Sequence, residues 1–169
     1  LGQERFERKL LVDEGLPHSC DKLLTIAERE LGRVQEEFRT VAGKLGFKEP
    51  LDAWQKAKDA HPAPGTLIAT VRDQVTELRT FLERSGVVAV PNGDQLHVAA
   101  SPEFLRWSTA SIWMPGPFET RQTRSVYYLT DALRSWPEAK QLEHLRDLNL
   151  PTLWSISMHE VFPGHFLHF

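Results

Sequence analysis

Cysteine is almost absent. Cys20 is the one such residue in 169, so no disulfide can form within the chain, and a lone thiol leaves the cellular compartment undecided. A basic surplus is also missing. Twenty lysines and arginines stand against 23 aspartates and glutamates, for a formal charge of −3, which argues against nucleic acid as a partner. No apolar run approaches the about 18 residues of a membrane span, and residues 1–11 are too charged for a signal peptide. Internal repeats, low-complexity tracts and flexible linkers are lacking, so nothing marks a domain boundary. What remains is the make-up of a globular protein, 41% hydrophobic and 25% charged. The sequence starts at Leu1 without a methionine, and we expect 169 residues of this kind to be a single partial domain, an excerpt of a larger protein, with an export signal left open.

Helical periodicity dominates the first half. Leu24, Ala27, Leu31, Val34, Phe38, Val41 and Leu45 recur at steps of three and four between charged residues, which predicts a long amphipathic helix from Asp21 to about Lys44, with Ser19 or Asp21 as its cap. A short helix is expected around Leu51–Ala60. The breaker His61-Pro62-Ala63-Pro64-Gly65 and a capping Thr66 then precede a second long helix with the core face Leu67, Val71, Val75, Leu78 and Leu82, ended by Gly86. The two long helices are expected to pack on each other through Leu24, Leu31 and Phe38 against Leu67, Val75 and Leu82.

The period then changes. Val87–Val90 and Gln95–Ala99 flank Asn92-Gly93, a hairpin signal, and Ser111–Met114 and Ser125–Leu129 read as two more strands. Ser135, in capping-box spacing to Glu138, predicts a helix to about Leu148, and a last helix is expected from Leu153 to Phe162. The fold class is α+β, mainly helical: long amphipathic helices with a small antiparallel sheet preceding the motif helix.

Three histidines and a glutamate crowd into the last eleven residues, His159-Glu160-Val161-Phe162-Pro163-Gly164-His165-Phe166-Leu167-His168-Phe169. A histidine followed by glutamate at a helix end is how many zinc hydrolases begin their metal site: neutral imidazoles bind the metal and a carboxylate activates water. Thr152, Ser155 and His159 give that helix one polar stripe, which a metal and the groups around it would satisfy. In the usual spacing a second histidine follows at i+4. Here Pro163 holds that place, and His165, at i+6, lies about 600° around a regular helix, pointing away from His159. Pro163 and Gly164 can break the helix and re-aim the backbone, so the rings should come to one side. Spacing alone leaves two readings open: a metal pair, completed by either His165 or His168, or a helix that simply stops at Pro163-Gly164. His18, His61, His97 and His144 show no ligand spacing and read as surface or structural. Trp113 and Trp154 read as core rather than cleft wall, and Tyr127 and Tyr128 as strand packing rather than oxyanion donors.

The run from His159 to His165 resembles the His-Glu-x-x-Pro-Gly-His signature of the bacterial domain-of-unknown-function family numbered 885, a largely helical group similar to zinc metallopeptidases whose third ligand is a glutamate. Residues 81–91, the run Pro102-Glu103-Phe104-Leu105-Arg106 and Pro115-Gly116-Pro117-Phe118 resemble that family's helix–strand junction and Pro-Gly-Pro loop in the same order. The family commonly carries a second histidine directly after the motif and a glutamine two further on, where this chain has Phe166 and His168. The resemblance implies one zinc ion held by His159 and His165, Glu160 as general base, and a third ligand from a helix downstream of Phe169. It implies hydrolysis of a peptide or small amide. The alternatives are a zinc hydrolase of small amides or esters, and a non-catalytic helical scaffold whose metal site is structural or lost.

Overall fold

The computed structural model describes residues 2–90, 95–121 and 124–168. Helices α1 (Gln3–Glu14), α2 (Cys20–Lys44), α3 (Pro50–Ala57) and α4 (Leu67–Ser85) come first. Strands β1 (Leu96–Ala100), β2 (Ala110–Trp113) and β3 (Ser125–Leu129) follow, then helices α5 (Glu138–Asp147), α6 (Leu150–Glu160) and the short α7 (His165–His168). The chain divides into two compact units, Leu1–Gln55 and Lys56–Phe169.

The first unit is built from α1, α2 and the start of α3. Gly15, in the left-handed conformation at φ 66°, ends α1, and the Ser19 hydroxyl caps α2 by accepting from Lys22 N–H at 3.2 Å. One flank of α2 carries an ion-pair ladder in which Arg33 reaches Glu30 at 2.8 Å and Glu37 at 2.5 Å. The apolar stripe of α2 forms as expected, but its burial does not. Leu24 and Leu31 are 58% exposed and Phe38 40%, and among the described residues of this unit only Ala42 and Ala53 are buried. Periodicity shows that a helix has an apolar face without showing what covers it. The expected burial of Leu24, Leu31 and Phe38 is therefore not found.

The second unit holds the core. Leu67, Val71, Val75, Leu78 and Leu82, spaced along one side of α4, are all buried, as the periodicity requires, and α4 packs on β1 and α6. Gly86, at φ 64°, closes the helix with its N–H on the Leu82 carbonyl. The sheet has the order β1-β3-β2. β2 pairs antiparallel with β3, with Ile112 opposite Tyr127, whereas β1 runs parallel to β3, with Val98 opposite Tyr127. The sheet is thus mixed where an antiparallel one was expected. Residues 87–90 form no strand, and the Asn92-Gly93 turn lies outside the described residues. Parallel pairing needs a long connection between its strands, and residues 101–124, which include β2, provide it.

Asn149 starts α6. Its side-chain oxygen accepts from Thr152 N–H at 3.0 Å, its amide donates to the Arg146 carbonyl at 3.0 Å, and it is wholly buried. Pro151 occupies the first turn, where a missing N–H costs nothing. Replacing Asn149 with Ala is expected to cost about 1–2 kcal/mol of stability, because a buried cap leaves orphan donors behind. Chemical denaturation of parent and variant measures it, and an unchanged midpoint would contradict the cap's role.

Candidate metal centre

His159 and Glu160 are the last two residues of α6. Leu153 and Ser157 on the inner side of that helix are buried, while Ser155, Met158 and His159 are exposed and Glu160 is half-buried. The polar stripe of Ser155 and His159 therefore faces outward, into a cleft of about 350 Å³ lined by Ser108, Thr109, Ala110, Ser155, Ile156, His159 and Glu160.

The chain leaves the helix at once. Val161 adopts φ −117° and ψ −82°, its N–H and that of Phe162 share the Ser157 carbonyl at 2.9 and 3.2 Å, and the Phe162–Pro163 peptide is cis. Val161 and Phe162 are buried at 0% and 1% exposure, so the turn is pinned to the core by two apolar side chains. Gly164 then passes under the end of α6. A Cβ placed on it would lie 1.7 Å from the His159 carbonyl oxygen and 2.5 Å from that of Met158, so glycine is the residue that fits. α7 starts immediately, with Leu167 and His168 N–H both donating to the Gly164 carbonyl, and the Phe166 ring packs edge-on against Phe162 at 5.5 Å.

This path brings the two histidines together. The His159 and His165 rings lie 4.6 Å apart at 83°, and their Nε2 atoms are 3.1 Å from each other. Two nitrogens bound tetrahedrally to one zinc at about 2.0–2.1 Å would stand about 3.3 Å apart. The pair therefore fits as two ligands of one ion, with the Glu160 carboxylate on the adjacent residue. His165, not His168, is the partner of His159. Among the described residues no group of three or more His, Cys, Asp or Glu side chains is arranged to hold a metal.

The other residues noted in the sequence fall elsewhere. His144 bonds the Thr130 carbonyl at 2.7 Å and stacks edge-on with Trp136, and His61 bonds the Pro62 carbonyl, both structural roles. His97 and His168 are exposed and His18 is half-buried. Trp154 is half-buried, but Trp113 is 54% exposed rather than core. Tyr127 is wholly buried, and its hydroxyl lies 3.3 Å from Ser157 Oγ. Burial pushes the hydroxyl far above its usual range, and the Glu160 charge adds to the effect, so it stays protonated. The Tyr127–Ser157 contact was not visible in the sequence, because nothing in the spacing of residues 30 apart registers a strand against a helix. Tyr127→Phe is expected to lower stability by about 1 kcal/mol through the unpaired Ser157 hydroxyl, read as a shifted denaturation midpoint. An unchanged midpoint would remove the contact from the account.

Hydrogen bonds also tie the rim of the cleft to β3. Thr130 donates its N–H to the Thr109 carbonyl at 2.9 Å and its hydroxyl to the Ser108 carbonyl at 2.6 Å, and the Ser108 hydroxyl caps the Ala110 carbonyl at 2.7 Å.

Fold and motif together define a mainly helical α+β protein with a histidine pair assembled across a helix break. The chain belongs to the family described as bacterial protein of unknown function (DUF885), which matches residues 1–169. In structure it is similar to a candidate lipoprotein of unknown function from Shewanella oneidensis, with 25% identity and a TM-score of 0.80 over 98% of this chain and 31% of that one. This chain thus spans about a third of that protein's length. No curated protein matches. No described helix is long and apolar enough to cross a membrane.

Proposed function

We propose that this chain carries two zinc ligands, His159 and His165, and the general base, Glu160, of a zinc-dependent metallopeptidase-like hydrolase acting on peptide or amide bonds. The observation that carries the reading is the 3.1 Å approach of the two Nε2 atoms across the Pro163-Gly164 break, with His159 and the following Glu160 lining an open cleft. A histidine pair serving the core alone would be buried; these rings are exposed.

When bound, zinc supplies a Lewis acid that lowers the pKa of water toward neutrality. The protein's own groups do the rest. Glu160 takes the proton from the attacking water on a carboxylate oxygen and passes it to the leaving nitrogen. The third ligand is assigned to a glutamate outside residues 1–169. The substrate backbone is assigned to β2, the edge strand beside the cleft. Because Thr109 and Thr130 form a hydrogen-bonded pair, alternation turns the N–H and C=O groups of Ser111 and Trp113 toward β3 and those of Ala110 and Ile112 toward the edge, where the Ala110 carbonyl already accepts from the Ser108 hydroxyl and keeps one lone pair for a further donor. An extended peptide adds there as a further strand.

Peptide hydrolysis by the full-length protein tests the reading. Activity that vanishes on chelation and returns with zinc is the expected result. A full-length protein that binds zinc yet cleaves no peptide, amide or ester would favour a scaffold with a structural ion.

A further inference from the structure

Alternation along β2 has a consequence for substrate choice. Tyr127 contacts Ser157 of α6, so Ile112 opposite it, and Ala110 two residues earlier, face α6 and the cleft. Ser111 and Trp113 then face the outer side of the sheet, beside Tyr128 and Val126. Trp113 is 54% exposed there, while Val126 and Tyr128 are half-buried. The connection from β1 to β3 shows further aromatic rings to solvent: Phe104 at 75%, Trp107 at 82% and Phe118 at 95% exposure. A large ring exposed on a sheet face beside an open strand edge offers apolar surface that a bound side chain can cover.

We infer that Trp113 is a selectivity residue, and that the protein prefers peptides with an aromatic or large aliphatic side chain three residues from the residue seated opposite Ala110. The inference rests on the peptide-hydrolase reading above. A peptide strand paired to the outer edge of β2 directs each side chain to the same face as the β2 residue it opposes. The residue opposite Ala110 enters the cleft at His159 and Glu160. Three residues along, an odd number, the side chain turns to the outer face and meets the Trp113 ring. This parity holds for either direction of the peptide. The side chain there extends the row of Trp113 and Val126 across the sheet, and covers indole surface that is otherwise wet.

Cleavage of a fully randomised peptide library by the full-length protein, with sequencing of the products, tests this. The parent should enrich Phe, Tyr, Leu and Met at one position, the third from a residue beside the cut, by about three- to tenfold in kcat/KM over Gly. Trp113→Ser should abolish that enrichment, and Trp113→Phe should restore most of it. Cleavage with no such preference, a preference that survives Trp113→Ser, or a variant that loses rate equally on every peptide would each overturn the inference and leave the hydrolase reading standing. A parent that cleaves no peptide removes both.

Discussion

Replacing Glu160 with Gln in the full-length protein is expected to lower hydrolysis by on the order of 10²–10⁴-fold while zinc stays bound. The amide keeps the size of the carboxylate and its hydrogen-bonding reach, but cannot accept the proton that water must lose. Glu160 sits at the C-terminal end of α6, half-buried and directly after His159, the proposed ligand, so the same helix turn fixes the backbone of both residues. Zinc content measured beside hydrolysis separates base from ligand. Full activity in the Glu160→Gln protein would end the proposed mechanism, and loss of zinc would move Glu160 into the ligand set.

Gly164→Ala is expected to be nearly as damaging, although the residue touches no substrate. Its added methyl would stand 1.7 Å from the His159 carbonyl oxygen, a collision with backbone that no rotamer relieves. Either the last turn of α6 or the start of α7 must move, and each carries one of the two histidines. Overpacking of this kind costs about 1–3 kcal/mol, and displacing a ligand's support weakens metal binding by about 10–100-fold. Thermal unfolding together with zinc titration reads both effects. A variant with the parent's zinc affinity would show that the approach of Gly164 to α6 does not position His165.

What the sequence made legible is what local rules govern. The stripes of α2 and α4, the Ser19 cap, and strands β2 and β3 follow from period and capping. The meeting of His159 and His165 was legible only in part: spacing left a metal pair and a plain helix end both open, the family resemblance favoured the pair, and the break at Pro163-Gly164 brings the rings together. The start of α6 at Leu150 was hidden because Asn149-Leu150-Pro151 looks like a loop until Asn149 is seen as a cap with proline in the first turn. The charged helix α1 buries no residue and so offered no face to detect. The pairing of β1 parallel to β3 depends on the route of the chain through residues 101–124, not on any local pattern. The reason for Gly164 is likewise tertiary: a contact with the carbonyls of the preceding helix end, which a motif can mark but not explain.

Zinc binding by the full-length protein, titrated in the parent and in the His159→Ala and His165→Ala variants, is the most direct test of the histidine pair. One tightly bound zinc ion per chain is expected, lost or greatly weakened in both variants, because removing either imidazole leaves too few protein ligands. A parent that binds no zinc, or a His165→Ala protein that binds it as tightly as the parent, would contradict the ligand pair.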